Sequence, residues 1–239
     1  MTIKLENLNK KYGKKPVLFD INLEIPTGSF TMLRGVSGSG KSTLMSIIGG
    51  IETATSGVVT IDGQDVGKLK GKARTEFYRH KVGFVFQGFY LQPQLSISEN
   101  IALMGMFAGM AKLKREARAK ELAEKLGIAE VLMQKPAEVS GGQAERACIA
   151  RAMFMNPEII LADEPTNNLD PENARNVIEM LKRIQVEMGA TMIVASHDAL
   201  VEKYATQMVE VREGRVGVVG MGVVGMDEAV RMDDGATTV

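Results

Sequence analysis

Apolar residues recur along this chain in two different rhythms. Residues 2–8 and 17–25 place them at alternate positions, as strands with one buried face do, and the polar run from Lys10 to Pro16 between them predicts a solvated turn. Further on, the runs at 30–33, 82–86, 159–162 and 192–195 are almost continuously apolar, the mark of parallel strands covered on both faces. Shorter strands are predicted at Val58 to Ile61, closed by Asp62-Gly63, and at 208–212 and 216–219 around Glu213-Gly214. Helical spacing predicts helices after Lys41, over 72–80, over 144–155 and over 172–188. Residues 96–135 are helical in pattern, with Ala119, Leu122, Ala123 and Leu126 forming one apolar stripe. The sum is an α/β protein with a mainly parallel sheet, an N-terminal antiparallel β subdomain and an α-helical lobe inserted at about 89–155.

The second half of the picture comes from what stands where the apolar runs stop. The run ending at Leu33-Arg34 enters Gly35-Val36-Ser37-Gly38-Ser39-Gly40-Lys41-Ser42-Thr43, which has the form G-x-x-x-x-G-K-[ST] between a strand and a helix. Such a loop aims consecutive backbone N–H groups and a helix dipole at one point and makes an anion cradle. Gly35, Ser37, Gly38, Ser39, Gly40, Lys41, Ser42 and Thr43 are therefore candidate phosphate-binding residues, with Lys41 reaching β- and γ-phosphates and the Ser42 hydroxyl facing Mg2+.

Other strand ends carry polar residues too. Asp163-Glu164 closes the run at 159–162, and two adjacent carboxylates there suit one for Mg2+ and one as a proton acceptor from water; the alternative is a pair of turn caps before Pro165. Gln87 and His197 follow the strands at 82–86 and 192–195, where the carboxyl ends of parallel strands line a ligand crevice. Gln87 is either an ordinary loop amide or a contact to Mg2+ and water. Ser140-Gly141-Gly142-Gln143 opens a helix as either a second anion site or an ordinary cap. Tyr12 is either a stacking surface for a base or a snorkelling surface side chain.

Composition narrows the classes. Lys plus Arg equals Asp plus Glu at 29 each, so neither a nucleic-acid partner nor an anionic membrane is expected. No segment approaches the ~20 apolar residues of a membrane span, and the N-terminus lacks a basic-then-apolar leader, so direct membrane insertion is not expected. Cys148 is the single cysteine, which precludes an intrachain disulfide and fits a reducing compartment. Residues 216–239, containing Gly-Val-Val-Gly-Met twice in succession, are expected to continue a short strand into a poorly ordered tail beyond a domain of residues 1–215.

In this order, Tyr12, the loop from Gly35 to Ser42, Gln87, Ser140-Gly141-Gly142-Gln143, Asp163-Glu164, Leu169-Asp170 and His197 resemble the motifs of the ATP-binding subunits of ABC transporters. The wording around Gln87 and Glu164 is similar to the subgroup of lipoprotein-release, macrolide-export and cell-division ATPases. The resemblance implies a P-loop NTPase core that hydrolyses ATP with Mg2+. It implies base stacking by Tyr12, Mg2+ and water sensing by Gln87, a general base at Glu164 and a γ-phosphate contact at His197. It also implies that Ser140, Gly142, Gln143 and Asp170 act on ATP held by a second copy, in a head-to-tail dimer. The partner implied is an integral membrane permease driven in export or extraction, which places the subunit in the cytoplasm, on the inner face of the membrane. A regulatory ATPase acting on a periplasmic cell-wall hydrolase through a membrane protein is the alternative. Val139, Ala144-Glu145 and Asn167 depart from the usual motif residues.

Overall fold

A computed structural model describes residues 2–167 and 169–221. The strands are β1 (Thr2–Tyr12), β2 (Lys15–Pro26), β3 (Phe30–Arg34), β4 (Ser56–Ile61), β5 (Gln64–Asp65), β6 (Val82–Val85), β7 (Ile159–Asp163), β8 (Thr191–Ala195), β9 (Gln207–Arg212) and β10 (Arg215–Met221). The helices are α1 (Lys41–Ile48), α2 (Gly71–His80), α3 (Ile97–Ile101), α4 (Leu103–Phe107), α5 (Lys112–Lys125), α6 (Gly141–Met153), α7 (Pro171–Met188) and α8 (Ala199–Glu202).

Two sheets form. One is antiparallel, in the order β2-β1-β4-β5; the other runs β10-β9-β3-β8-β7-β6 and is parallel except for β10. Every residue of β7 and β8 is buried, which is why those runs show no alternation in sequence. Their side chains still alternate in space. Ile160, Ala162, Met192 and Val194 join a core with α7 and the helices between β6 and β7, whereas Ile159, Leu161, Ile193 and Ala195 join a second core with α1 and the antiparallel sheet. The stripe read from sequence on α5 is buried in the first of these. The α/β class with its antiparallel N-terminal unit is thus the observed one.

One local expectation is corrected. The polar run from Lys10 to Pro16 is not a turn: β1 and β2 stay paired to Tyr12 and Lys15, and only Gly13-Lys14 turns, with Gly13 at φ 58°. Register shifts along β1 let the pairing absorb a sequence that does not alternate cleanly. Lys10 is consequently buried, at 9% exposure, instead of lying in solvent. At the other end, β9 and β10 form the expected hairpin, and the strand expected over 216–219 runs from Arg215 to Met221, past the domain end expected at 215. The second copy of the repeat and the rest of the expected tail, 222–239, lie outside the described residues.

Candidate functional site

The phosphate loop is shaped by what presses on it. A Cβ on Gly35 would run into the Val211 carbonyl of β9, and one on Gly40, at φ 111°, would sit 2.8 Å from Leu18 of β2. The Gly214 N–H, in the turn between β9 and β10, donates to the Ser39 carbonyl at 3.1 Å. Gly40 is the N-cap of α1 and supplies no side chain, so no side-chain cap competes for the amides of the first turn. The Ser39 hydroxyl oxygen is buried without a hydrogen-bond partner.

Around this loop the parallel strands deliver their terminal residues. Lys41 is 5% exposed, and its ammonium donates to the carbonyls of Gly35 (2.7 Å) and Val36 (3.3 Å) and lies 3.4 Å from Glu164 Oε1. Asp163 ends β7, buried, with its carboxyl raised above the ordinary range by burial while a hydrogen bond with Ser42 pulls the other way. Glu164 turns out of the strand at φ 48°, its N–H donating to the Ala195 carbonyl. A left-handed residue thus follows directly on the last residue of the strand, so the two adjacent carboxylates do not lie on one extended backbone. His197 Nδ1 stands 3.1 Å from Glu164 Oε2, its side chain two-thirds exposed at the end of β8. Gln87 completes a cleft of about 160 Å3 with Ser37, Gly38, Gly40, Lys41, Ser42, Thr43, Glu164 and Val17. Val17, on β2, carried no signal in the sequence; only the packing of β2 on Gly40 brings it there.

The residues fit Mg2+. Asp163 Oδ1 is buried with no hydrogen-bond partner, and the Ser42 hydroxyl beside it and the Gln87 amide on the cleft wall add the hard oxygen donors this ion takes. Among the described residues no three His, Cys, Asp or Glu side chains form a metal cage, as suits an ion that shares its shell with phosphates and water.

Not all the candidates meet here. Ser140, Gly142 and Gln143 open α6 and do not line the cleft. Ser140 Oγ accepts from the Gln143 N–H (3.3 Å), Gln143 Oε1 accepts from the Ser140 N–H (2.9 Å), and a Cβ on Gly142 would lie 3.1 Å from Asn173 Oδ1. Asp170 caps α7 through the Asn173 N–H, so Ser140 to Gln143 and Asp170 gather into a second cluster. Tyr12 stands at the β1–β2 hairpin, 47% exposed, and is also outside the cleft lining. Sequence reading missed Arg151, whose guanidinium donates to the carbonyls of Phe89 and Tyr90, just past Gln87.

An anion loop laid across the carboxyl ends of parallel strands, with a buried carboxylate facing its serine, defines a P-loop nucleotide-binding α/β protein. Comparison with known proteins is narrower. Residues 18–167 match the ABC transporter family, and the chain belongs to it. It is 42% identical over 218 residues to the macrolide export ATP-binding/permease protein MacB of Aggregatibacter actinomycetemcomitans, covering 90% of this chain and 34% of that protein. The chain thus spans about a third of the length of its macrolide-export relatives. It is 38% identical to the ABC transporter ATP-binding protein YknY of Bacillus subtilis, covering 90% of this chain and 94% of that one. Among solved structures, the ATP-binding cassette MJ0796, a dimer in a post-hydrolysis state bound to ADP and Pi, superposes with a TM-score of 0.83 at 37% identity, covering 90% of this chain and 96% of that one.

Proposed function

We propose that this chain is the ATP-hydrolysing cassette of a transporter, that two copies close head to tail on ATP, and that the closure drives an integral membrane permease in export or extraction. The observation that carries the reading is the meeting of Lys41, Asp163, Glu164 and His197 at one phosphate loop, with the Ser140 cluster outside that cleft. The working domain in this reading runs on through β10, past the end expected at 215, with residues 89–155 as its helical lobe.

A triphosphate carries more negative charge than the one carboxylate beside Lys41, and at 3.4 Å that pair is not a close contact, so a bound triphosphate draws the ammonium off Glu164. Glu164 is then free to take a proton from water, held in place by His197, which also faces the γ-phosphate. Ser42, Asp163 and Gln87 would hold Mg2+, whose charge neutralises the phosphoryl oxygens in the transition state. Ser140 and Gly142 of the second copy bring another helix N-terminus to the same phosphates, so charge stabilisation is complete only in the pair. Tyr12 stacks on the base.

An apolar groove of about 330 Å3, walled by Phe84, Phe86, Met104, Arg151 and Met155, lies beside Gln87 and suits a docking segment of the permease. The relatives that join ATP-binding and permease parts support such a partner. No helix among the described residues is long and apolar enough to cross a membrane, and the proposed place of work is the inner membrane face, reached through the permease. Glu164→Gln tests the core of the reading. MgATP should still bind, hydrolysis should fall by about 10²–10⁴-fold, and gel filtration with MgATP should show a two-copy species. Undiminished turnover would remove Glu164 as the base.

A further inference from the structure

Lys10 has no place in the chemistry above, yet it is among the most buried charges in the molecule. Its ammonium donates to the Thr53 carbonyl at 2.7 Å, pairs with the Glu52 carboxylate and lies 4.7 Å from the centre of the Tyr12 ring. Residues 10 and 12 share a face of β1, so the ammonium and the ring are brought together by strand geometry. The Glu52 carboxyl is held below the usual range chiefly by Lys10. The Lys11 N–H bonds Thr55 Oγ1 and the Thr55 N–H bonds the Asn9 carbonyl, stitching the end of β1 to the segment that leaves α1. At the opposite end of α1, Leu18 of the same hairpin presses on Gly40. The hairpin that carries Tyr12 is therefore clamped at both ends of the helix whose first turn cradles phosphate.

Lys10 is buried and Glu52 half-exposed, and an ion pair of that kind adds little to the stability of a fold. What Lys10 and Glu52 supply is orientation: the carboxylate holds the ammonium, the ammonium faces the ring, and nearly half of Tyr12 stays exposed to meet a ligand. We propose that Lys10 and Glu52 are positioning residues for the nucleobase, holding Tyr12 in the orientation that stacks and so setting how much the nucleoside half of the ligand adds to binding. The inference rests on Tyr12 being the stacking residue.

The test compares MgADP with magnesium pyrophosphate, which lacks base and ribose, by calorimetry on the full chain, with pyrophosphate measured by displacement. Lys10→Met should weaken ADP by about tenfold and pyrophosphate by less than about twofold, as loss of one oriented aromatic contact does. Lys10→Arg, which keeps a cation over the ring, should recover most of the ADP affinity. Glu52→Gln, nearly isosteric, carries the same ADP-selective expectation should Lys10→Met fold poorly. Unchanged ADP binding in Lys10→Met and Glu52→Gln, or equal loss of both ligands, overturns the inference. Tyr12→Ala separates the two layers. If it leaves the preference for ADP over pyrophosphate intact, the stacking reading fails and this inference with it. If it lowers that preference while the Lys10 and Glu52 variants do not, only this inference fails.

Discussion

Two helices in this molecule begin with glycine and serine, and they begin differently. At α1 the N-cap is Gly40 in a left-handed conformation with no side chain to spend on the first turn. At α6 the cap is Ser140, and a complete capping box closes on Gln143, which in turn reaches Glu130. The first helix start is left open by its own chain, and the second is finished by it. A serine that accepts from Gln143 still has its hydroxyl proton to donate, so the finished end is stable alone and presents one donor outward. The contrast teaches that a shared motif of small residues can build either a pocket or a plug, and that the cap residue decides which.

The largest expected break in this comparison is Lys41→Ala. Loss of two charge-assisted phosphate contacts should weaken MgATP by about 10³-fold, read by equilibrium binding; unchanged affinity would mean that the open end is not where phosphate sits. Next comes Glu145, on α6 itself, 4% exposed with Oε1 lacking a hydrogen-bond partner, and pushed up to about 7 by burial despite the nearby charge of Arg151. A carboxyl raised in the folded state favours folding fully below its ordinary value of 4.5, and that contribution is lost as pH rises through about 7. Glu145→Gln should therefore be more stable than the parent by roughly 3 kcal/mol at pH 8, with the difference closing near pH 4.5. Denaturant melts at the two pH values check this, and a pH-independent difference would refute it. The smallest effect is Ser140→Ala. Loss of the cap should cost about 1 kcal/mol, a fall of about 2–4 °C in Tm, with MgADP binding by a single copy unchanged. Loss of ADP affinity comparable to that of Lys41→Ala would show that both helix starts serve one site.

Which residues gather around the phosphate loop was legible because each stands where an apolar run stops, and parallel strands expose their carboxyl ends together: Gln87 after β6, Asp163 at the end of β7, His197 after β8. The stripe on α5 was legible for the same reason, since periodicity reports burial directly. Lys10 was not, because a charged run between two strands reads as solvent, and the shifts that carry β1 on to Tyr12 depend on its pairing with β2. The direction of Glu164 was not, because a left-handed residue after a strand has no compositional sign when it is not glycine. The contact of Arg151 with Phe89 and Tyr90 joins residues some sixty apart, which no local pattern encodes.

The hairpin of β9 and β10 closes against the phosphate loop through Val211 and Gly214. The last described strands are therefore the floor beneath the phosphate loop, some 170 residues upstream. During synthesis that motif leaves the ribosome long before its floor exists. A nascent chain halted ahead of residue 207 would carry the whole loop sequence and still lack the surface that shapes it.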